Sequence, residues 1–230
     1  MNSQIILGTK NAHLATGLTV VIDVFRAFST VCYAFQQGAE KIIPVASVNQ
    51  ALALKKQHPE YLLMGEEQGI VPDEFDLGNS PARLLSHDLT GKILVHSTTN
   101  GTKGLIGAVN AEEIITGSFC NAQAIVNYIQ QQQPQVVSFL CTDAREQGVI
   151  GEDEWCARYL QNSLENQPND FLQIVEYLRT QGLADKYFNP QITSHPEEDF
   201  YLCLDLDRFK FVLSVKKDEN ETICLNRVTV

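Results

Sequence analysis

Residues 18–24 read LTVVIDV, a continuous apolar, β-branched run. A strand that meets water on one face alternates apolar with polar residues, whereas one buried on both faces does not. Such a strand belongs to a sheet covered by helices on both sides, and the flanking sequence agrees. A helical pattern spans Ala27–Gln37, and Gly38 lies where a C-terminal cap belongs. Then come the β-rich KIIPV (Lys41–Val45), a helical pattern at Val48–Gln57 and a short strand at Tyr61–Met64. Ser80-Pro81 supplies an N-cap with proline in the first helical position. Strand Lys92–Val95, a short helix from Thr102, strand Glu113–Thr116, a helix near Asn121–Gln132 and strand Gln135–Cys141 follow. This alternation predicts an α/β fold with a mostly parallel sheet between two helical layers.

The last third differs. Asn162–Tyr187 is helical in pattern with breaks near Pro168 and Gly182, and Asn189–Glu198 is loop-like. Two strands, Phe209–Val215 and Thr222–Val228, flank the turn KKDENE as a hairpin. The expected organisation is one domain over 1–230, with residues 160–230 as a helical segment plus hairpin packed on the core.

Composition narrows the partners. Against 28 acidic residues stand 17 basic ones, a net charge of −11, with no basic cluster to meet a phosphate backbone. Nucleic acid is excluded more firmly than a small anion, which needs only a few local cations or a metal ion. No apolar run of about 18 residues is present, so no membrane span is expected. Six cysteines are scattered without a C-x-x-C pair, and the N-terminus has neither a charged leader nor a long apolar stretch. The expected setting is a reducing cytoplasm.

Ligands of open α/β sheets bind outside the carboxyl ends of the strands, and polar residues gather there. Asp23 ends the first strand, with Arg26 and Ser29 beyond it; Glu66 follows the strand 61–64 and leads to Asp76, Asn79 and Ser80. The stretch VHSTTNGTKG (95–104) brings Thr98, Thr99, Asn100, Gly101 and Thr102; Asn121 and Arg145 follow later strands, and Glu152-Asp153 opens a helix. Carboxylates without a thiol or imidazole cluster favour a hard ion such as Mg²⁺. Helix starts rich in Ser, Thr, Asn and Gly offer N–H groups to an anion, and an arginine can clamp paired oxygens. Taken singly, each feature has a plainer reading as a helix cap, a turn or a surface ion pair. His96 sits at a strand end beside the threonines, whereas His13, His58, His87 and His195 fall in polar or loop contexts and read as solvated. The haloacid-dehalogenase pattern, the cysteine-phosphatase loop, the G-x-S-x-G elbow and the phosphate loop are all absent from the sequence.

Seven segments together resemble the 2-phosphosulfolactate phosphatase family: VVIDVFRAFST (20–30), GEEQG (65–69), FDLGNSP (75–81), STTNGT (97–102), GSFCNAQA (117–124), GEDEWCA (151–157) and EEDFYLCLDLDRF (197–209). The resemblance implies a three-layer α/β/α fold and a Mg²⁺-dependent hydrolase releasing phosphate from 2-phospho-3-sulfolactate, a step in coenzyme M synthesis. On this reading Asp23, Arg26, Glu66 and Asp76 are the catalytic candidates. Mg²⁺ is held by Asp23, Asp76 and either Glu152 or Asp153, and either water or Asp23 attacks. Ser29, Asn79, Ser80, Thr98, Thr99, Asn100, Gly101, Thr102, Asn121 and Arg145 would meet the substrate. The sharpest expectation is that Thr99–Thr102 cradles the phosphate or the acid tail. Two departures stand out: Glu67 occupies a position where the family usually has Arg, and Thr142-Asp143-Ala144-Arg145 replaces a glycine-containing turn, so that Arg145 becomes a candidate substitute cation. A phosphatase for another small phosphorylated acid, a non-catalytic anion binder, and an oligomer contact (a homodimer is compatible with the sequence) remain alternatives.

Overall fold

The structure, a computed structural model, describes residues 1–144, 149–219 and 221–230. Its strands are β1 (Asn2–Leu7), β2 (Gly17–Ile22), β3 (Lys41–Val45), β4 (Leu62–Gly65), β5 (Ile93–Ser97), β6 (Ala111–Gly117), β7 (Val136–Cys141), β8 (Phe211–Lys217) and β9 (Ile223–Thr229). The helices are α1 (Ala27–Gln36), α2 (Val48–Gln57), α3 (Pro81–Leu84), α4 (Gly101–Gly107), α5 (Ala122–Gln132), α6 (Glu152–Leu164), α7 (Phe171–Thr180), α8 (Asp185–Phe188) and α9 (Glu197–Cys203). All six residues of β2 are buried, as its unbroken apolar run requires. No helix among the described residues is long and apolar enough to cross a membrane.

The strands form one mixed sheet in the order β1-β7-β2-β6-β8-β9-β3-β5-β4. Helices cover both faces, giving three layers. The apolar faces of α1 and α4 pack on one side, and those of α2, α5, α6 and α7 on the other. β1, whose NSQIIL shows only a short apolar run, takes its place through parallel pairing with β7 along its whole length. The expected hairpin forms, and it lies inside the sheet between β6 and β3.

That insertion decides where the strand ends point. β1, β7, β2 and β6 are mutually parallel, as are β3, β5 and β4. Between the two sets lie three antiparallel pairings, β6–β8, β8–β9 and β9–β3. The sets therefore run in opposite senses along the ladder, and the sequence expectation of one shared carboxyl edge does not describe this sheet. Twist brings the ends together instead. Six steps separate β2 from β4, and at roughly 20–25° per step the sheet turns through roughly 120–150°, cancelling most of the reversal.

The sheet wraps around α1. Every residue from Ala27 to Phe35 is buried, so this helix has almost no solvent face. One apolar cluster joins it to Val21 and Leu140 of the first strand set and to Ile42, Met64 and Leu94 of the second. Its large side chains, Phe28, Val31, Tyr33 and Phe35, each contribute on the order of 1.5–3 kcal/mol of burial. This packing holds the two halves face to face around the site.

Candidate active site

A cleft of about 350 Å³ opens where the two sets of strand ends meet. It is lined by Asp23, Phe25 and Arg26 after β2, by Glu66, Gln68 and Gly69 after β4, and by Thr99 and Asn100 after β5. Asn79, Lys186 and His195 complete it.

Asp23 is buried at the end of β2. Its Oδ1 accepts the Ala27 N–H at 2.9 Å at the start of α1, and its Oδ2 the Thr142 hydroxyl at 3.3 Å. Burial pushes its carboxyl up to about 7; the Ala27 bond opposes this, while the charges of Glu66 and Glu152 add to it. Asp153 lies behind it, accepting from the N–H groups of Val24 (2.8 Å), Thr142 (3.1 Å) and Asp143 (3.2 Å) and sharing with Asp23 the single Thr142 hydroxyl proton, whose oxygen is 3.1 Å from Asp153 Oδ2. Burial, then Asp23 and Glu152, hold Asp153 well above the carboxylate range. With donors on both oxygens, Asp153 ties the start of α6 to the ends of β2 and β7.

Glu66 reaches the cleft because β4 and β5 approach closely at Gly65, where φ is +139° and a Cβ would meet Ser97 O at 1.9 Å. Its Oε1 accepts the Thr99 N–H at 2.7 Å; its Oε2 accepts the Thr99 hydroxyl at 2.8 Å and the Gly69 N–H at 2.6 Å. A carboxylate offers about four acceptor positions, so Oε1 retains capacity toward the cleft.

The 98–102 loop, expected as an anion cradle, spends many of its donors within the protein. Thr98 and Thr102 bond each other: the Thr98 N–H donates to Thr102 Oγ1, the Thr102 N–H to Thr98 Oγ1, and the Thr102 hydroxyl to Thr98 O, each at 3.1 Å. The Thr99 N–H and hydroxyl hold Glu66, and Thr99 Oγ1 accepts the Gln68 N–H at 2.7 Å. A Cβ at Gly101 would stand 2.8 Å from both Asp23 Oδ2 and Ala27 Cβ, so the absence of a side chain lets this loop close on Asp23. The loop holds Glu66 and closes on Asp23, and Thr99 and Asn100 are the members that line the cleft.

Arg26 is anchored by a buried pair. Its Nη1 donates to Asp199 Oδ2 at 2.6 Å and to Ser194 O at 2.9 Å. Asp199 Oδ1 in turn accepts the Ser80 hydroxyl and the Ala82 N–H, both at 2.9 Å. Both Nη1 protons are thus used, and the Nη2–Nε edge is the part of the fork that can meet an oxyanion. Beside it, His195 packs edge-on to Tyr187 (5.5 Å between centroids), and its Nδ1 lies 2.9 Å from Ser194 Oγ. Burial and the positive charges of Arg26 and Lys186 push the imidazole down to about 3. His195 is half-buried at the cleft, which corrects its reading as a solvated loop histidine. Asn79 is buried with its Oδ1 unpartnered among the described residues, a polar atom that a ligand donor would satisfy.

The remaining candidates lie elsewhere. Asp76 is exposed and outside the cleft lining; its Oδ2 accepts the Leu63 N–H at 2.8 Å and pairs with Lys55 at 3.2 Å, so it braces β4 against α2. Ser29 donates to Val24 O, and Asn121 bonds Ser118 and Phe211 O, both fully buried. Ser80 caps α3 and bonds Asp199. Glu67 is exposed in a tight turn closed on Ile70, outside the cleft lining, so its sign bears less on an anion there than its sequence position implies. Arg145 falls outside the described residues. His96 is fully buried in β5, away from the cleft.

The donor set can be weighed against magnesium. Among the described residues no three His, Cys, Asp or Glu side chains already converge as a metal cage. Mg²⁺, however, is usually bound through one or two carboxylates plus waters and substrate oxygens. Asp23 and Glu66 at the cleft, with Glu152 acting on Asp23 from behind, provide hard oxygen donors whose mutual repulsion a divalent cation would relieve. The residues fit the ion, Asp23 and Glu66 being the ones that could hold it, while Asp76, expected as a ligand with Asp23 and either Glu152 or Asp153, lies outside the cleft lining.

Comparison with known proteins identifies the family. A family model described as 2-phosphosulpholactate phosphatase matches residues 6–218. A Bacillus subtilis protein named probable 2-phosphosulfolactate phosphatase is 31% identical over 214 residues, covering 93% of this chain and 92% of the relative. Relatives of the same name from Caldicellulosiruptor saccharolyticus (38% over 181 residues; 76% and 74% covered) and Carboxydothermus hydrogenoformans (48% over 118 residues; 51% and 49% covered) are also similar. The chain belongs to the 2-phosphosulfolactate phosphatase family.

Proposed function

We propose that this protein is a magnesium-dependent phosphatase of the cytoplasm that hydrolyses a small anionic phosphomonoester, 2-phospho-3-sulfolactate being the first substrate to test. The observation that carries the reading is the meeting of Asp23, Glu66 and Arg26 in one cleft, from strand sets that run in opposite senses. Family membership and the names of the relatives support the same chemistry.

Arg26 would present its remaining N–H edge to the phosphoryl oxygens, where charge grows as the ester bond breaks. Glu66, oriented by Thr99, would accept a proton from an attacking water at its Oε1. Asp23 would sit against the reacting phosphoryl group as metal ligand or as nucleophile, in a pocket floored by Phe25 that limits water. Bound Mg²⁺, held by Asp23 and Glu66, would supply charge neutralisation and a more acidic water.

The test is phosphate release from 2-phospho-3-sulfolactate and a panel of small phosphomonoesters, with Mg²⁺ and with EDTA, for wild type and Asp23→Asn. Activity dependent on Mg²⁺ and lost in Asp23→Asn supports the proposal. Metal-independent turnover, or full activity in the variant, would overturn it. Binding without turnover across the panel would favour a non-catalytic anion binder.

A further inference from the structure

Arg26 and Asp199 meet through one atom on each side, Nη1 to Oδ2 at 2.6 Å, with side chains 5% and 0% exposed. An arginine facing a free carboxylate commonly pairs fork to fork, through two parallel N–H···O bonds. Here the second carboxylate oxygen is already taken. Asp199 Oδ1 accepts the Ser80 hydroxyl and the Ala82 N–H, both at 2.9 Å, at the start of α3. The other Nη1 proton goes to Ser194 O at 2.9 Å. Nε and Nη2 have no partner among the described residues, and neither is sealed from solvent.

Three elements distant in the chain thus meet at one carboxylate. Arg26 stands at the N-cap of α1, Ser80 caps α3, and Asp199 lies in the first turn of α9. Phe25 and Phe200, the sequence neighbours of the two charges, pack with centroids 5.7 Å apart and fix the approach of α9 to the cleft floor. A buried carboxylate needs donors on both oxygens, but a fork-to-fork pair would supply them as well. Holding Oδ1 with Ser80 and Ala82 does something more: it stops the carboxylate from turning onto the second edge of the guanidinium.

We infer that Asp199, with Ser80 behind it, is a positioning residue: it neutralises Arg26 end-on and keeps the Nη2–Nε edge free and turned to the cleft for a phosphoryl group. The inference rests on the phosphatase reading. It gives Ser80, expected to meet the substrate, a role that acts through Arg26 instead.

The grip of Arg26 on the phosphoryl oxygens is read by a thio effect. This is the ratio of kcat/KM for 2-phospho-3-sulfolactate to that for its phosphorothioate, in which sulfur replaces one nonbridging oxygen. Sulfur is larger and a weaker acceptor, so the ratio is large only while donors press on that oxygen. Asp199→Asn keeps the size and loses the charge. It should lower kcat/KM for the oxygen ester about a hundredfold, the scale of a misplaced catalytic group, and the thio effect about tenfold. Ser80→Ala leaves the ion pair in place and should lower the thio effect about threefold, and it carries the test if Asp199→Asn does not fold. A role confined to stability lowers Tm and slows both esters by the same factor. An unchanged thio effect in Ser80→Ala, or in a folded Asp199→Asn, therefore overturns the inference. If wild type hydrolyses neither ester, the phosphatase reading fails, and the free edge is probed separately by calorimetric titration with inorganic phosphate. Phosphate bound about threefold more weakly by Ser80→Ala then sustains the positioning role. Absent binding, or equal affinity in wild type and variant, overturns it.

Discussion

Thr99 grips Glu66 by both of its carboxylate oxygens, through its main-chain N–H at 2.7 Å and through its hydroxyl at 2.8 Å. The grip spans two strands of one parallel pair and fixes a proposed base without touching the reaction. Thr99→Val keeps the shape and removes the hydroxyl bond. It should lower kcat about tenfold or more through misorientation of Glu66, and cost about 1 kcal/mol in urea unfolding. Thr99→Ser should restore both, and a serine variant as impaired as the valine one would refute the positioning role.

The Arg26–Asp199 pair behaves as a buried ion pair should. Removing one partner leaves the other charged and without water, at a cost of about 3–5 kcal/mol. Asp199→Leu should therefore unfold at much lower urea concentration than wild type. The double variant Arg26→Met, Asp199→Leu should recover part of the loss, and strictly additive effects would show that the two charges are not coupled.

Asp76 offers a contrasting case. Its carboxylate is used by Leu63 and Lys55, outside the cleft lining. Asp76→Ala should retain phosphatase activity within about threefold while losing about 1 kcal/mol of stability, the scale of one hydrogen bond with an exposed ion pair. Loss of turnover in a variant that stays folded and still binds Mg²⁺ would return Asp76 to the catalytic set.

His96 sets an acid limit on stability. It is fully buried, both ring nitrogens lack a partner among the described residues, and burial pushes it down to about 3 from an ordinary value of 6.5. Between those values the unfolded chain binds a proton that the folded chain refuses, so the contribution of His96 favours the folded state above pH 6.5 and is lost as the pH drops toward 3, while Asp23, raised to about 7, works in the opposite sense over the same window. His195 tilts the curve the same way. His96→Leu should flatten the loss of Tm between pH 6.5 and 4, and a slope identical to wild type would contradict the assignment.

Much of this is legible in the sequence itself. Unbroken runs such as LTVVIDV announce strands buried on both faces, and Asp23, Glu66 and Thr99 were found because they follow such runs. Asp199 was not, because its partner Arg26 lies 173 positions away and nothing local marks the pairing. His195 sits in QITSHPEED, a stretch with no periodicity, and reaches the cleft only through the packing of Tyr187 on Phe25. The threonine loop shows a further limit of the sequence. A sequence shows how many donors a loop has, while only the fold shows whether a neighbouring carboxylate already occupies them.

The hairpin between β6 and β3 also has a consequence for timing. A ribosome delivers Asp23 and Glu66 early, on strands belonging to opposite halves of the sheet. Until residues 211–229 emerge, β6 and β3 each present an unpaired edge, and nothing in the ladder links one half to the other. Nascent chains should therefore carry both carboxylates long before they carry a cleft. Cells would meet this protein inactive through most of its synthesis and complete only once the hairpin has closed the gap.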